Sequence, residues 1–215
     1  MAVSALPAPG DRAALVRRGL RLNYVTIGYN ALEAVGSIAA GLVAGSVALV
    51  GFGVDSIIEV TASGAAQWRL RADVDPARRE RVERIAHRGI GLSFLALAAY
   101  VAGESAMALW HREPPERSLP GVVILALSVL VMPALARAKR RVARALVSSA
   151  LDADATQTAL CACLSVIALI GVALNAILGW WWADPVAALV MVPIIAKEGL
   201  EGLRGTPTCS DCAGH

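Results

Sequence analysis

The chain has 215 residues, of which 57% are hydrophobic and 17% are charged, with a formal net charge of +3. It is too apolar for an ordinary soluble domain, and its apolar residues come in long blocks. The basic residues lie between those blocks and only 5% of residues are aromatic, so the charge does not indicate a nucleic-acid partner. No HExxH, GxSxG or Walker A motif is present, so the sequence does not predict an enzyme.

Six apolar blocks alternate with charged or turn-rich segments, which predicts an all-α integral membrane protein with six transmembrane helices. We divide the chain into a basic N-terminal segment (1–22), a membrane domain (23–200) and a short tail (201–215). The N-terminal segment does not resemble a signal peptide, because it lacks an apolar stretch. The predicted spans cover 23–44, 47–68, 89–110, 121–136, 148–178 and 184–200, with a very short turn at Gly45-Ser46.

The distribution of positive charge predicts the orientation of these spans. Of the 20 Lys and Arg residues, all except Arg112 and Arg117 fall on the side that carries both termini. Cytoplasmic loops of membrane proteins are enriched in Lys and Arg, so we predict cytoplasmic termini. The expected location is the cell membrane, as a multi-pass protein.

The second predicted span carries two carboxylates, Asp55 and Glu59, in the sequence GSVALVGFGVDSIIEV. Their i,i+4 spacing puts both side chains on one face of a helix. Acids within membrane spans are costly and usually mark an ion or proton path, so the pair predicts half of a cation site. The alternative is that one of them pairs with an Arg or hydrogen-bonds a neighbouring helix; no Lys or Arg lies inside the first five predicted spans.

The fifth predicted span presents a second polar face, which contains Asp154, Gln157 and Cys161. If it neighbours the second span, Asp55 should face Cys161 and Glu59 should face Gln157. Asp154 would then lie one turn nearer the cytoplasm, as a ligand on the ion's path or as a gate. Two carboxylates and a thiolate favour a borderline ion such as Zn²⁺, and Gln is a weak neutral ligand. Cys161 could instead be a small buried hydrophobic residue.

These motifs resemble the cation diffusion facilitator family of transporters. GSVALVGFGVDSIIEV resembles the second helix of that family, whose two acids bind the ion, and WADPVAALVMVPII resembles the start of its sixth helix. LDADATQTALC resembles its fifth-helix motif ADxxHxxxD, but Gln157 replaces the His and Cys161 replaces the second Asp. The family usually carries a cytoplasmic C-terminal domain, and only the short tail follows the sixth span here, too little for a domain.

The resemblance implies proton-coupled efflux of a divalent cation by alternating access, with Zn²⁺ as the expected cargo, protons as counter-ion, and a homodimer as the assembly. No prosthetic group is expected. Because the fifth-helix His is replaced, a non-transporting metal sensor or accessory subunit of the same fold stays open as the alternative.

Other polar residues have two interpretations each. Four of them lie within predicted spans and either line the cavity and relay protons or hydrogen-bond other helices: Asn30, Glu33, Glu104 and Asn175. The tail carries Cys209 and Cys212 as a CxxC with His215 nearby, and it either contacts metal or is disordered.

Overall fold

The structure of the protein is a computed structural model that describes residues 9–71, 76–112, 114–146 and 149–204. These residues form six α-helices and contain no strand, so the predicted all-α fold is confirmed. The interpretations of Cys209, Cys212 and His215 lie outside the described residues. The helices are α1 Pro9–Ala44, α2 Val47–Arg71, α3 Pro76–His111, α4 Leu119–Leu146, α5 Ser149–Leu178 and α6 Ala183–Arg204.

Three helices extend well beyond the apolar blocks that predicted them. α1 begins at Pro9 and α3 at Pro76, well ahead of their predicted spans, because their basic lead segments continue the helix. α4 continues past the end of its predicted span to Leu146. Ala and Arg dominate this extension and are strong helix formers, and the buried residues Lys139, Val142 and Ala143 follow helical spacing.

Five of the six described helices, α1 to α5, are long and apolar enough to cross a membrane. α6 differs because its last two turns carry Lys197, Glu198 and Glu201. Its first part is apolar, and the helix packs against α3 and α5.

The helices pack as three neighbouring pairs, α1 with α2, α4 with α5 and α3 with α6. α2 and α5 also contact each other and are the innermost helices. In an apolar 18-residue stretch of each helix, 56% and 50% of the residues of α2 and α5 are buried, against 28–33% for α1, α3 and α4. The shared core includes Phe52 and Leu125, both fully buried. The polar faces that carry the predicted site therefore belong to the two helices most shielded from lipid.

The turn between α1 and α2 is as short as the sequence predicts. Gly45 has a φ of 65°, a left-handed conformation that favours glycine. The Ser46 hydroxyl accepts a hydrogen bond from the Leu49 N–H at 3.1 Å, which caps the start of α2. The same hydroxyl donates to the Asp184 carboxylate at the start of α6, and Asp184 also accepts from the Ala48 N–H at 3.4 Å. The turn is thus bonded to a third helix.

α1 and α2 approach each other closely at glycines. A Cβ placed on Gly53 would lie 2.7 Å from Cγ1 of Ile38 and 3.2 Å from the Ala34 carbonyl oxygen. A Cβ on Gly41 would lie 2.9 Å from the backbone nitrogen of Val50. Small residues permit such backbone contact between membrane helices. The contact fixes the register of α1 against the part of α2 that carries the two acids.

We expect Gly53→Ala to destabilise the protein by about 1–3 kcal/mol, because the added methyl group overlaps Ile38 and the α1 backbone. Gly64→Ala in the same helix is the matched control. No atom lies within 4 Å of its added methyl group, and removing a helical glycine should stabilise by up to about 1 kcal/mol. Thermal unfolding in detergent measures both. Equal melting temperatures for the two variants would contradict the close contact.

Candidate metal site

Asp55 and Glu59 lie on one face of α2, and they are 4% and 1% exposed. They line a small cavity between α2, α3, α5 and α6. Thr158 and Cys161 of α5 lie beside Glu59, but neither carboxylate oxygen of Glu59 forms a full hydrogen bond with a described residue. The other lining residues are Phe94, Gln157, Leu160, Leu164, Ile194, Ile195 and Glu198.

Cys161 is a buried free thiol, 1% exposed, at the interface of α5 with α2. Its side chain lies beside the carboxyl groups of Asp55 and Glu59. The structure thus brings together three of the five residues that the sequence assigned to the site. Its sulfur is also 4.0 Å from Oε2 of Glu33.

Gln157 lines the same cavity, and its side-chain nitrogen is buried without a hydrogen-bond partner among the described residues. The α5 hydroxyl beside Glu59 belongs to Thr158, the next residue. Gln157 therefore borders the space in front of the acids and does not bond to Glu59 directly.

Asp154 lies apart from this group, in an ion pair that the sequence did not predict. Its Oδ2 is 2.8 Å from the Lys139 Nζ, and both side chains are almost completely buried. Ser63 of α2 donates a hydrogen bond to Asp154 Oδ1 at 2.7 Å, and the Lys139 ammonium donates to the Thr158 hydroxyl at 3.1 Å. The expectation that no Lys lies inside a span was wrong, because α4 continues as a helix and turns Lys139 inward.

Glu33 of α1 is a third carboxylate at the site, 4% exposed. Ser56 of α2 donates a hydrogen bond to its Oε2 at 2.9 Å, and Cys161 lies on its other side. The side chains of Tyr29 and of Ser128 in α4 also lie beside this carboxylate, although its buried Oε1 forms no full hydrogen bond with a described residue. The sequence marked Glu33 as a polar residue within a span but did not include it among the metal ligands.

The other polar residues within the spans differ in their surroundings. Asn175 donates hydrogen bonds to the carbonyl oxygens of Pro115 and Glu116 at 3.0 and 3.4 Å, so it anchors the segment before α4. Asn30 is fully buried, and neither polar atom of its side chain has a partner in the described part of the chain. Glu104 is half-buried in α3.

Within the described ranges, no group of three or more His, Cys, Asp or Glu side chains is placed so that it would hold a metal ion. Asp55 and Glu59 line the cavity and Cys161 lies beside them, but the three side chains do not form a closed coordination shell. Their chemistry is that of divalent transition-metal ligands, with two oxygen donors and one sulfur donor.

Comparison with known proteins identifies the family. The family described as the cation efflux transmembrane domain matches residues 24–206, most of the chain. The chain belongs to the cation efflux family. It is also similar to the cation-efflux pump FieF of Shewanella oneidensis, with 24% identity over 172 residues, or 76% of this chain. The chain spans 57% of that pump's length.

Membership of the cation efflux family confirms the resemblance that the second, fifth and sixth helices carry. Together with the apolar helices it establishes a multi-pass protein of the cell membrane. The matched region includes α6, whose charged last turns set it apart from the other five described helices.

Lys139→Met should destabilise the protein by roughly 3–5 kcal/mol, because it leaves the Asp154 carboxylate buried without its counter-charge. The double variant Lys139→Met/Asp154→Leu should recover most of this loss, because no buried charge remains. Arg141→Met removes an exposed cation from the same helix and serves as the control. Unfolding in detergent measures all three, and a Lys139→Met variant as stable as the control would contradict the ion pair.

Proposed function

We propose that the protein exports divalent transition-metal cations of the Zn²⁺ class from the cytoplasm in exchange for protons, by alternating access. The observation that carries this proposal is the convergence of Asp55, Glu59 and Cys161 at the interface of the two innermost helices. Ionisable groups at such a position are rare in membrane proteins and mark ion paths. Membership of the cation efflux family supports the same function.

The donor set favours transition metals over Mg²⁺ or Ca²⁺. Asp55 and Glu59 offer hard oxygen atoms, whereas the Cys161 thiolate is a soft donor that Zn²⁺, Cd²⁺ and Co²⁺ accept. Gln157 is a weak neutral ligand at the edge of the cavity, where its free amide can contact the ion or its water. We propose these four residues as the transport site.

For Asp154 we propose the role of a gate. It lies on α5 nearer the predicted cytoplasmic end than Gln157, and Lys139 and Ser63 occupy both of its oxygens. An ion that approaches from the cytoplasm would meet this ion pair before it reaches Glu59. Opening of the path on that side would separate Asp154 from Lys139.

Proton coupling follows from competition for the same oxygen atoms. A carboxylate or thiolate ligand must lose its proton before it binds a metal, so metal binding releases protons and protonation releases metal. Access from the cytoplasm would load the metal, and access from the opposite side would replace it with protons. The homodimer is proposed from the family resemblance alone.

A membrane metal sensor or accessory subunit is the second candidate. Two observations favour it: the fifth helix carries Gln157 where the resemblance leads one to expect His, and Asp154 is held by Lys139. A sensor needs metal binding without turnover, so it would bind the ion at Asp55 and Glu59 but would not move it across the membrane.

Metal flux into proteoliposomes under an imposed pH gradient tests the proposal, with Zn²⁺, Cd²⁺, Co²⁺, Mn²⁺ and Fe²⁺ compared. We expect Asp55→Asn to abolish flux, because it removes a charged oxygen ligand. Cys161→Ser should lower Zn²⁺ and Cd²⁺ flux by about 10–100-fold and Mn²⁺ flux much less, because a hydroxyl is a harder donor.

The matched controls are Asp152→Asn, an exposed acid in the first turn of α5, and Cys163→Ser, which changes a second cysteine of the same helix. Both should transport like the wild type. Folded wild-type protein that binds Zn²⁺ but moves no ion above empty liposomes would replace the transporter with the sensor.

A further inference from the structure

The position of Glu33 along α1 matches the level of the two acids of α2. α1 ends and α2 begins at the turn that contains Gly45. Glu33 precedes that turn in the chain, whereas Asp55 and Glu59 follow it. At 1.5 Å per residue, Glu33, Asp55 and Glu59 lie about 18, 15 and 21 Å from Gly45 along the helix axes. Since α1 and α2 are neighbours joined by this turn, Glu33 lies at a depth between Asp55 and Glu59.

Close packing keeps Glu33 at this level. The carbonyl oxygen of Ala34, the next residue, would lie 3.2 Å from a Cβ on Gly53, so the two backbones nearly touch beside Glu33. On the α4 side, a Cβ on Gly36 would lie 3.0 Å from Cδ1 of Ile124. Packed cores resist displacement, so the carboxylate is held against α2 and α5.

Unpartnered oxygen atoms at this level favour a cation as their binding partner. Oε1 of Glu33 and both carboxylate oxygens of Glu59 are buried without a hydrogen-bond partner among the described residues. A buried carboxylate without a partner is costly. Lys139 is the buried Lys or Arg side chain of the described residues, and it pairs with Asp154. Lys139 also acts on the charge of Glu59 from a distance, but within the described residues no Lys or Arg side chain forms an ion pair with Glu33, Asp55 or Glu59. These three acids therefore remain able to take a mobile cation.

We propose that Glu33 is a further metal-binding residue, so that α1 supplies a third carboxylate to the site of Asp55, Glu59 and Cys161. This inference rests on the proposed function. These four side chains do not form a coordination shell as they stand in the structure, so they would have to turn towards one divalent transition-metal cation to bind it. Three carboxylate oxygens and one thiolate would then give four ligands, the number that Zn²⁺ takes in tetrahedral sites. The Cys161 sulfur, 4.0 Å from Oε2 of Glu33 and beside the other two carboxyl groups, is the common neighbour of all three.

Binding of Co²⁺ to the purified full chain in detergent tests this assignment. The thiolate-to-Co²⁺ charge-transfer band reports Cys161, and the ligand-field bands report the number and geometry of ligands. Cys209→Ser and Cys212→Ser are introduced in every sample, so that the tail contributes no thiolate. Glu33→Gln keeps the size of the side chain and an oxygen that can accept from Ser56, but it removes the charge.

We expect Glu33→Gln to raise the Kd for Co²⁺ about 10–100-fold and to shift the ligand-field bands, while the charge-transfer band persists. Glu104→Gln, the same change in α3, is the matched control and should bind like the parent. If Glu33 only positions Ser56 and Cys161, the ligand-field spectrum of the metal-bound variant will equal that of the parent, which overturns the proposal.

Glu33→Cys gives a second test that does not require loss of binding. With the α1 backbone held in place, the short cysteine side chain should not reach the metal, so the charge-transfer absorbance per bound Co²⁺ should stay that of one thiolate while the ligand-field bands shift through loss of the carboxylate. Ligand-field bands equal to those of the parent in a folded, Co²⁺-binding variant overturn the assignment.

Asp55→Asn separates the two proposals. If it abolishes Co²⁺ binding and Glu33→Gln behaves like Glu104→Gln, the transport site stands and Glu33 is not a ligand. If the folded parent binds no Co²⁺, or Asp55→Asn binds as the parent does, both proposals fail.

Discussion

The cost of placing carboxylates within an apolar bundle is the constraint on which the rest of the structure depends. Asp55 and Glu59 on α2 and Asp154 on α5 would be far more costly against lipid than inside the protein. α2 and α5 are accordingly the most buried helices, and the other four surround them. Close contact at Gly41 and Gly53 holds α1 against α2.

The acids inside the bundle have two kinds of surroundings. Asp154 has a fixed counter-ion, the Lys139 ammonium, and hydroxyl groups complete its surroundings. Glu33 and Glu59 have unpartnered oxygen atoms and no such fixed cation in direct contact among the described residues. The first arrangement suits a structural role, and the second suits the ion binding that we propose.

The sequence predicted much of this arrangement. Long apolar blocks determine the number of helices, and i,i+4 spacing determines which face carries Asp55 and Glu59, so the amino-acid order alone predicts both. It does not predict the burial of Lys139, because a basic run after an apolar block looks the same whether it forms a loop or continues the helix. The approach of Glu33 to Cys161 was equally hidden, since it depends on which helices are neighbours. By contrast, the sequence does predict that Glu33 lies at about the same depth in the membrane as Asp55, because the two residues are nearly equal numbers of residues from Gly45.

The hydrogen bond from Ser46 to Asp184 fixes the start of α2 to the start of α6. The other end of α2, at Arg71, is about 37 Å away along the helix. A tilt of about 10° around the fixed end moves Glu59 by about 3 Å and the far end by about 6 Å. With such a tilt, the predicted cytoplasmic end of α2 would move about twice as far as the acids. The opening that we propose on that side would then need only a small displacement of Asp55 and Glu59.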